Sequence, residues 1–376
     1  MNIWIENPFD NLPTEGYRPQ RYWLMARAFL AAGHSVRYWT SDFSHANKAP
    51  RRLIEPATND PFPVEFIPTL PYRSNVSWQR IRSHRDYARK WLNRGRKMSA
   101  REKPDIIIAS APPIGSACAA IQLARELCAR VVIDVQDAWP ETFYRLAPRI
   151  LFAPLRARIQ RAYRDADLVS GVCERYRDLT GRTDYLTAYL GIEPGVCPQR
   201  TSRGFRLVYA GNLGRSYDLG TVIEAVRRDS RLTLDIAGTG EFTCACPRVK
   251  FHGYLGHAEL RQLFAECDLG VIPMSGDTWV GLPNKLFDYT ASDLAVVSSL
   301  SGETAALLTK HGIGATYRPA DVESLLSAIE AAAKIQPGAP RRLCEERFDA
   351  REIYRHYVIH VSRLMSHVDK NKRPET

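Results

Sequence analysis

Lys285 and Asp288 lie three residues apart in Pro283-Asn284-Lys285-Leu286-Phe287-Asp288-Tyr289. The Pro-Asn pair predicts a helix start, which puts both side chains on nearly one face, a turn apart. A lysine there can neutralise a diphosphate, and a carboxylate one turn on can accept two ribose hydroxyls. The same spacing also suits a surface ion pair. A second group is Tyr209-Ala210-Gly211-Asn212-Leu213-Gly214-Arg215, an apolar strand running into a glycine-containing turn before a helix. Glycine lets backbone amides approach a phosphate, a helix N-terminus adds a favourable dipole, and Arg215 could make a bidentate contact. A plain tight turn reads the same way.

The third group is Asp134-Val135-Gln136-Asp137-Ala138-Trp139-Pro140-Glu141, after a strand-like apolar run. Asp134, next to that run, is expected to be buried and structural. Gln136, Asp137 and Glu141 could take sugar hydroxyls, and Trp139 could stack on a ring. Asp137 is the candidate for orienting an acceptor or acting as a base. Gly16, in Gly16-Tyr17-Arg18-Pro19 before the first helix, either admits a ligand to the backbone or closes a turn. The fifth feature is Arg80 to Lys103, with ten Lys and Arg against two acids. Its apolar positions Trp78, Ile81, Ala88 and Leu92 fall near one helical face. Arg82, Arg85 and Arg89 could hold an anionic membrane surface, or the helix could simply pack its stripe on its own domain.

The elements that must carry these residues alternate. Short apolar strands are predicted at 3–5, 35–39, 64–67, 105–109, 131–135, 167–170 and 185–190, then at 206–210, 232–237, 249–251, 268–272 and 295–299. Helices include a first one closed by Gly33, and 218–228, 257–267, 284–291, 321–334 and 350–367. Such alternation implies parallel sheets covered on both faces, with ligands at the carboxyl ends of the strands. A length of 376 residues suits two domains at roughly 100–200 residues each. The boundaries expected are 1–190, a linker at 191–204, 205–347, and a last helix at 348–376 crossing back to the first domain.

Net charge is +11 and uneven: 29 Lys and Arg against 19 Asp and Glu in residues 1–190, but 23 against 22 in 191–376. The excess calls for an anionic partner of the first half: a membrane face, a phosphorylated substrate or a nucleic acid. A nucleic-acid-binding protein would rest on charge alone, since no recognition motif accompanies it. Eight cysteines are scattered without zinc-ligand spacing, so no metal site is expected, and Cys118, Cys128 and Cys267 are expected to be buried thiols. No apolar run reaches ~18 residues, and the start is too quickly polar for a signal peptide, so a cytoplasmic location is expected.

In order, these motifs resemble family 4 glycosyltransferases of the GT-B fold. The resemblance is carried by Gly33-His34, Asp137-Ala138-Trp139-Pro140-Glu141, Ala166-Asp167-Leu168-Val169-Ser170-Gly171-Val172, Val208-Tyr209-Ala210-Gly211-Asn212-Leu213, Ile236-Ala237-Gly238-Thr239-Gly240, Phe251-His252-Gly253-Tyr254, Asp268-Leu269-Gly270-Val271-Ile272-Pro273 and Lys285-Leu286-Phe287-Asp288-Tyr289. The first half, with Pro8-Phe9-Asp10, looks closest to O-antigen and capsule enzymes resembling N-acetylfucosaminyl transferases. The resemblance implies two Rossmann-like domains facing a cleft, and a retaining transfer that needs no metal or cofactor. It implies a nucleotide-sugar donor, usually UDP-linked, bound by Gly16, Gly211, Asn212, Arg215, Lys285 and Asp288. The implied acceptor is a polyprenyl-diphosphate-linked or other saccharide, met at Gln136, Asp137, Trp139 and Glu141 on the inner face of the membrane.

The chain departs from that pattern. A first acid expected eight residues before Asp288 falls on Val280; the usual Arg and Lys of the phosphate loop fall on Asn212 and Tyr217; a usual His falls on Gln136. Arg215 and Lys285 are therefore expected to supply the diphosphate charge. The alternative activity is a UDP-sugar epimerase or hydrolase of the same fold.

Overall fold

The computed structural model describes residues 1–376 except 53–61, 145, 196, 198–202, 215, 277–278 and 367–376. The chain divides into two compact units, Met1–Tyr189 with the residues from Arg351 onward, and Leu190–Ala350.

Among the described residues, the first unit has a seven-stranded parallel sheet. Its strands are β1 (Asn2–Glu6), β2 (Ser35–Ser41), β5 (Val64–Ile67), β6 (Ile106–Ala111), β7 (Arg130–Val135), β8 (Leu168–Gly171) and β9 (Leu186–Thr187), and β3 (Phe43–Ser44) and β4 (Ala49–Pro50) form a separate antiparallel pair. The spatial order is β5-β2-β1-β6-β7-β8-β9, which reverses direction beside β1, as in dinucleotide-binding folds. Every residue of β6 is buried, which is what an apolar run with helices on both faces requires.

Helices α1 (Arg21–Ala31), α2 (Trp78–Ser99), α3 (Ile114–Leu127), α4 (Ala153–Asp165) and α5 (Tyr176–Thr180) complete the unit with the last helix of the chain. Gly33 stops α1 at φ +80, and the next amide, His34, reaches back to the Phe29 carbonyl at 3.1 Å. Ser77 caps α2 by accepting from the Arg80 amide. The buried residues Ser83, Tyr87, Trp91 and Gly95 recur every four positions along α2. A Cβ built on Gly95 would lie 2.7 Å from Leu123 of α3, so the two helices pack closely there. Ala88 and Trp91 thus face inward, whereas Trp78 and Ile81, expected on the same stripe, are exposed.

The second unit has, among the described residues, a six-stranded parallel sheet in the order β12-β11-β10-β13-β14-β15. Its elements are β10 (Arg206–Ala210), α6 (Leu219–Arg228), β11 (Thr233–Ala237), β12 (Val249–Gly253), α7 (His257–Glu266), β13 (Leu269–Ile272), α8 (Asn284–Ala291), β14 (Ala295–Ser298), α9 (Glu303–His311), β15 (Gly314–Thr316), α10 (Val322–Ala333) and α11 (Ala339–Leu343). The core runs from Leu207, Leu234 and Val271 in the strands to Val222, Val226, Leu325 and Ile329 in α6 and α10. The last helix, α12 (Ala350–Ser366), packs in the first unit, where Tyr354 and Tyr357 are fully buried.

The predicted alternation is present as two parallel-sheet α/β units. The strand expected at 185–190 shortens to Leu186–Thr187, because the Ala188 and Tyr189 carbonyls accept from Arg21 at 2.7 and 3.1 Å instead of a neighbouring strand. Cys267 is buried as expected, but Cys118 is half-buried and Cys128 is exposed, because Cys128 ends α3 at φ +51 rather than lying inside it.

Candidate active site

In the second unit the backbone apex after β10 meets the first turn of α8. Gly211 has φ +139, and a Cβ there would lie 2.9 Å from Lys285 Nζ. Gly238, after β11, is tighter still: its Cβ would fall 1.8 Å from the Gly211 carbonyl oxygen. The glycines therefore let two strand ends close up while Lys285 crosses over the first. A Gly238→Ala variant should force this apex apart and lose about 2–3 kcal/mol of stability, as read by denaturant melts.

Lys285 is 9% exposed. Its ammonium lies 4.0 Å from the Tyr217 ring centre and 4.9 Å from that of Tyr209. Cation–π attraction of ~0.5–2 kcal/mol holds it there, and among the described residues no carboxylate is within ion-pair distance. Burial lowers its pKa to about 8, with Asp288 opposing the shift. Tyr217 occupies the position where the resemblance leads one to expect a second cation; here its ring positions the one that is present. Tyr289, one turn later, is fully buried; its hydroxyl accepts from the Ala210 amide at 3.1 Å and its ring fits over Gly270. That contact locks α8 to the sheet and sets the height of Lys285.

Asp288 is half-buried beside a small pocket that Arg261 and Ser292 also line. Asn212 is exposed, and its carbonyl accepts from the Tyr209 hydroxyl at 2.6 Å. Arg215 lies outside the described residues. The helix start expected just after this turn is displaced: α6 begins at Leu219, and Asp218 caps it, accepting from the Thr221 amide at 3.1 Å. A carboxylate already fills that N-terminus. The start of α8 carries no side-chain cap, so its first amides lie beside Lys285 where an anion is favoured.

In the first unit, Asp134 is fully buried at the end of β7. Arg21 grips it with two hydrogen bonds of 2.8 Å, joined by Ser170 at 2.6 Å and Tyr22 at 2.9 Å. Burial alone would raise its pKa; the Arg21 charge and these hydrogen bonds outweigh that and hold it below the usual carboxylate range. Gln136 stands next to it, its amide 3.4 Å from Asp134.

The loop that follows is more closed than its sequence suggests. Asp137 accepts from the Ala138 amide at 2.9 Å, and from Trp139 Nε1 and Thr142 Oγ1 at 3.2 Å each. Burial raises its pKa, against those donors. Glu141 is 4% exposed and ion-paired with Arg156. Its carboxylate therefore already has a partner inside the first unit. Trp139 is flanked by Arg80, 4.8 Å over its ring, and by Phe143 and His84 at 4.7 and 5.7 Å. It also lines an apolar cavity. Gly16, at φ +85, closes the short turn Pro13–Glu15, so the turn itself accounts for a glycine there.

Arg82, Arg85 and Arg89 are exposed along α2, opposite its buried face, with Arg89 3.1 Å from Asp86. No helix of the described residues is long and apolar enough to cross a membrane. The residues that sequence reasoning missed are Tyr209, Tyr217 and Tyr289 around Lys285, and Arg80 over Trp139. Of the tyrosines, only Tyr289, four residues after Lys285, is placed by spacing on the same helix face.

Residues 19–186 match the family described as glycosyl transferase 4-like domain, and residues 204–334 match glycosyl transferases group 1. No curated protein sequence matches significantly. Among solved structures, the chain is similar to Anabaena Alr3699/HepE in complex with UDP, at TM-score 0.68 and 15% identity, covering 96% of this chain and 99% of that one. A glycosyltransferase from Rickettsia africae ESF-5 aligns at TM-score 0.64 and 11% identity over 97% and 99%. UDP-GlcNAc 2-epimerase from Methanocaldococcus jannaschii aligns at 0.57 and 11% over 96% and 100%. With one glycosyltransferase family match on each unit and two Rossmann-like units in sequence, the chain belongs to the GT-B glycosyltransferases.

Proposed function

We propose that this glycosyltransferase moves a sugar, with retention of configuration, from a UDP-linked donor to a lipid-linked saccharide such as a polyprenyl diphosphate oligosaccharide of cell-surface polysaccharide assembly. The observation that carries the donor half is Lys285, a buried cation without a carboxylate partner among the described residues, set against the Gly211 apex and the uncapped start of α8. Such a group is poised for the negative charge that builds on a departing diphosphate. Asp288, a turn further on, suits the ribose hydroxyls. The complexes of HepE with UDP and UDP-glucose support a uridine nucleotide.

On the acceptor side, Gln136 and the Asp137 loop lie at the carboxyl end of β7, where such folds bind ligands. Asp137 orients that loop through its three hydrogen bonds. The reaction as proposed runs without a metal or cofactor: the leaving phosphate itself takes the acceptor proton on a front-face path. The structural similarity to a UDP-GlcNAc 2-epimerase motivates a second reading, in which UDP-sugar turns over with no acceptor.

A nucleotide-sugar panel tests both. UDP at 100 times its Kd should stabilise the fold by about 2.7 kcal/mol and exceed GDP and ADP in effect. UDP-sugar should be consumed only with a saccharide acceptor, giving a product of unchanged anomeric configuration by NMR. Consumption without acceptor supports the epimerase reading; no nucleotide effect ends the donor assignment.

The exposed Arg82, Arg85 and Arg89 would hold the enzyme on the cytoplasmic membrane face, at about 1 kcal/mol per arginine near an anionic surface. Changing all three to Gln should release it from anionic vesicles in a flotation assay; retained binding would leave that stripe as a solvated helix face.

A further inference from the structure

We propose that the first unit contains a binding site for a phosphorylated lipid: the cavity between the starts of α2 and α4 takes the aliphatic chain, and Arg80 with Lys48 takes the phosphate. This rests on the acceptor reading above and names where the acceptor's lipid anchor binds.

The cavity has a volume of about 370 Å³, within the ~300–1,000 Å³ common for small-molecule sites. Trp78, Ile81, Phe143, Leu146, Phe152 and Leu155 form its walls. Trp78 is 80% exposed and Leu146 56%, and Ile150 and Leu151 just beyond are 76% and 66% exposed. Contiguous apolar exposure of this kind marks a contact with something apolar.

The border at Arg80 is different. Arg80 borders the cavity with its guanidinium among the rings of Trp139, Phe9 and Tyr72, at 4.8, 5.7 and 5.9 Å. It donates to the Asn75 carbonyl at 2.9 Å and to His84 Nε2 at 3.3 Å. Lys48, beyond the cavity's own lining, lies 5.3 Å from the same Tyr72 ring and contacts His45. Neither cation has a carboxylate within ion-pair distance among the described residues. Asp137, the acid whose charge Arg80 feels, is already held by three donors of its own loop.

The two histidines do not add charge. Burial, with the nearby cations, lowers His45 and His84 to about 3. Burial and the Arg80 charge lower Lys48 to about 8. Two cations confined together without an anion are costly, and a phosphate would relieve that cost. A sugar would leave the apolar walls unused, an apolar peptide segment would leave the two cations without a phosphate, and a free phosphate would leave the whole cavity unused. One ligand class matches both ends: a phosphate or diphosphate ester of a long hydrocarbon.

The test uses the full chain and calorimetric titration with farnesyl diphosphate below its micellar concentration, inorganic pyrophosphate and farnesol. Farnesyl diphosphate should bind at least tenfold more tightly than either fragment. Arg80→Gln should weaken farnesyl diphosphate at least tenfold and leave farnesol unchanged; Arg80→Lys should restore part of the loss. Leu155→Gln should weaken both chain-bearing probes and leave pyrophosphate unchanged. Unaltered UDP binding and melting report that the variants fold.

Equal affinity for pyrophosphate and farnesyl diphosphate would overturn the proposal, as would indifference to Arg80→Gln. So would binding to vesicles without binding of monomeric farnesyl diphosphate, which would make the patch a bilayer contact. Failure of the transferase reading looks different: UDP-sugar neither binds nor turns over, while farnesyl diphosphate still binds.

Discussion

A Lys285→Met variant should bind UDP about 30- to 1,000-fold more weakly (~2–4 kcal/mol) and yet melt at a higher temperature than the parent. The first effect follows from removing the one cation that the described residues place at the Gly211 apex. The second follows from its burial. The ammonium ordinarily titrates near 10.5 and is lowered to about 8 in the fold, so the folded state holds its proton less well than the unfolded chain. Keeping the charge inside therefore opposes folding by about 1–3 kcal/mol at neutral pH. That cost is complete below pH 8 and fades as pH rises toward the unfolded value. The stability gap between variant and parent should be full at pH 7 and close to zero near pH 10.5. UDP affinity of the parent should fall as pH passes 8, because the free enzyme then loses the proton that the diphosphate needs. Unchanged UDP affinity in the variant would remove Lys285 from the donor site. A lower melting temperature would mean that its aliphatic stem matters more than its charge.

An Arg21→Met variant should lose about 3–5 kcal/mol of stability, the usual result of stranding one member of a buried ion pair. Arg21 and Asp134 are 1% and 0% exposed. The same guanidinium satisfies two carbonyls beyond β9 and lies 5.8 Å from the Tyr354 ring of α12. Tyr357, on the next turn, is 3.2 Å from Ser170, which itself bonds Asp134. The pair thus ties β7, β8, the 188–189 segment and α12 into one polar cluster. In the parent, Asp134 has a lowered pKa, so its contribution is present above the ordinary carboxylate pKa and is lost as pH falls through the lowered folded value. Without Arg21, burial dominates and the carboxyl takes up a proton at higher pH. The deficit measured by urea denaturation should therefore be largest near pH 7 and shrink as pH falls through the carboxylate range. Amide exchange in α12 should quicken more than in α6. A loss under 1 kcal/mol would show that the cluster is packed but not stabilising.

Some of this was legible in the residues. Lys285 and Asp288 on one helix face followed from a three-residue spacing, and the burial of Asp134 from its place beside a continuous apolar run. The central strands of both sheets were visible for the same reason, since a buried parallel strand must be apolar throughout. Elements with weak patterns were not. Helix α4 buries only Ile159, Ala162 and Tyr163 among many arginines, and β15 is a short edge strand beginning at Gly314. The partners of the acids in the 137–141 loop were not legible either, because Asp137 and Glu141 look free in sequence until Trp139, Thr142 and Arg156 are seen to hold them.

By itself the sequence determined the repeated strand-helix order, the basic bias of the first half and the local order of chemical groups along each element. These are properties of near neighbours in the chain, set by periodicity and residue type. Tertiary structure alone decided which cations have no carboxylate partner among the described residues. Lys285 is isolated among tyrosines from β10 and the loop before α6, and Arg80 shares Tyr72 with Lys48, thirty-two positions upstream. Whether a charge is paired or left for a ligand depends on groups distant in sequence that folding brings within a few ångströms, where the low dielectric makes each contact count.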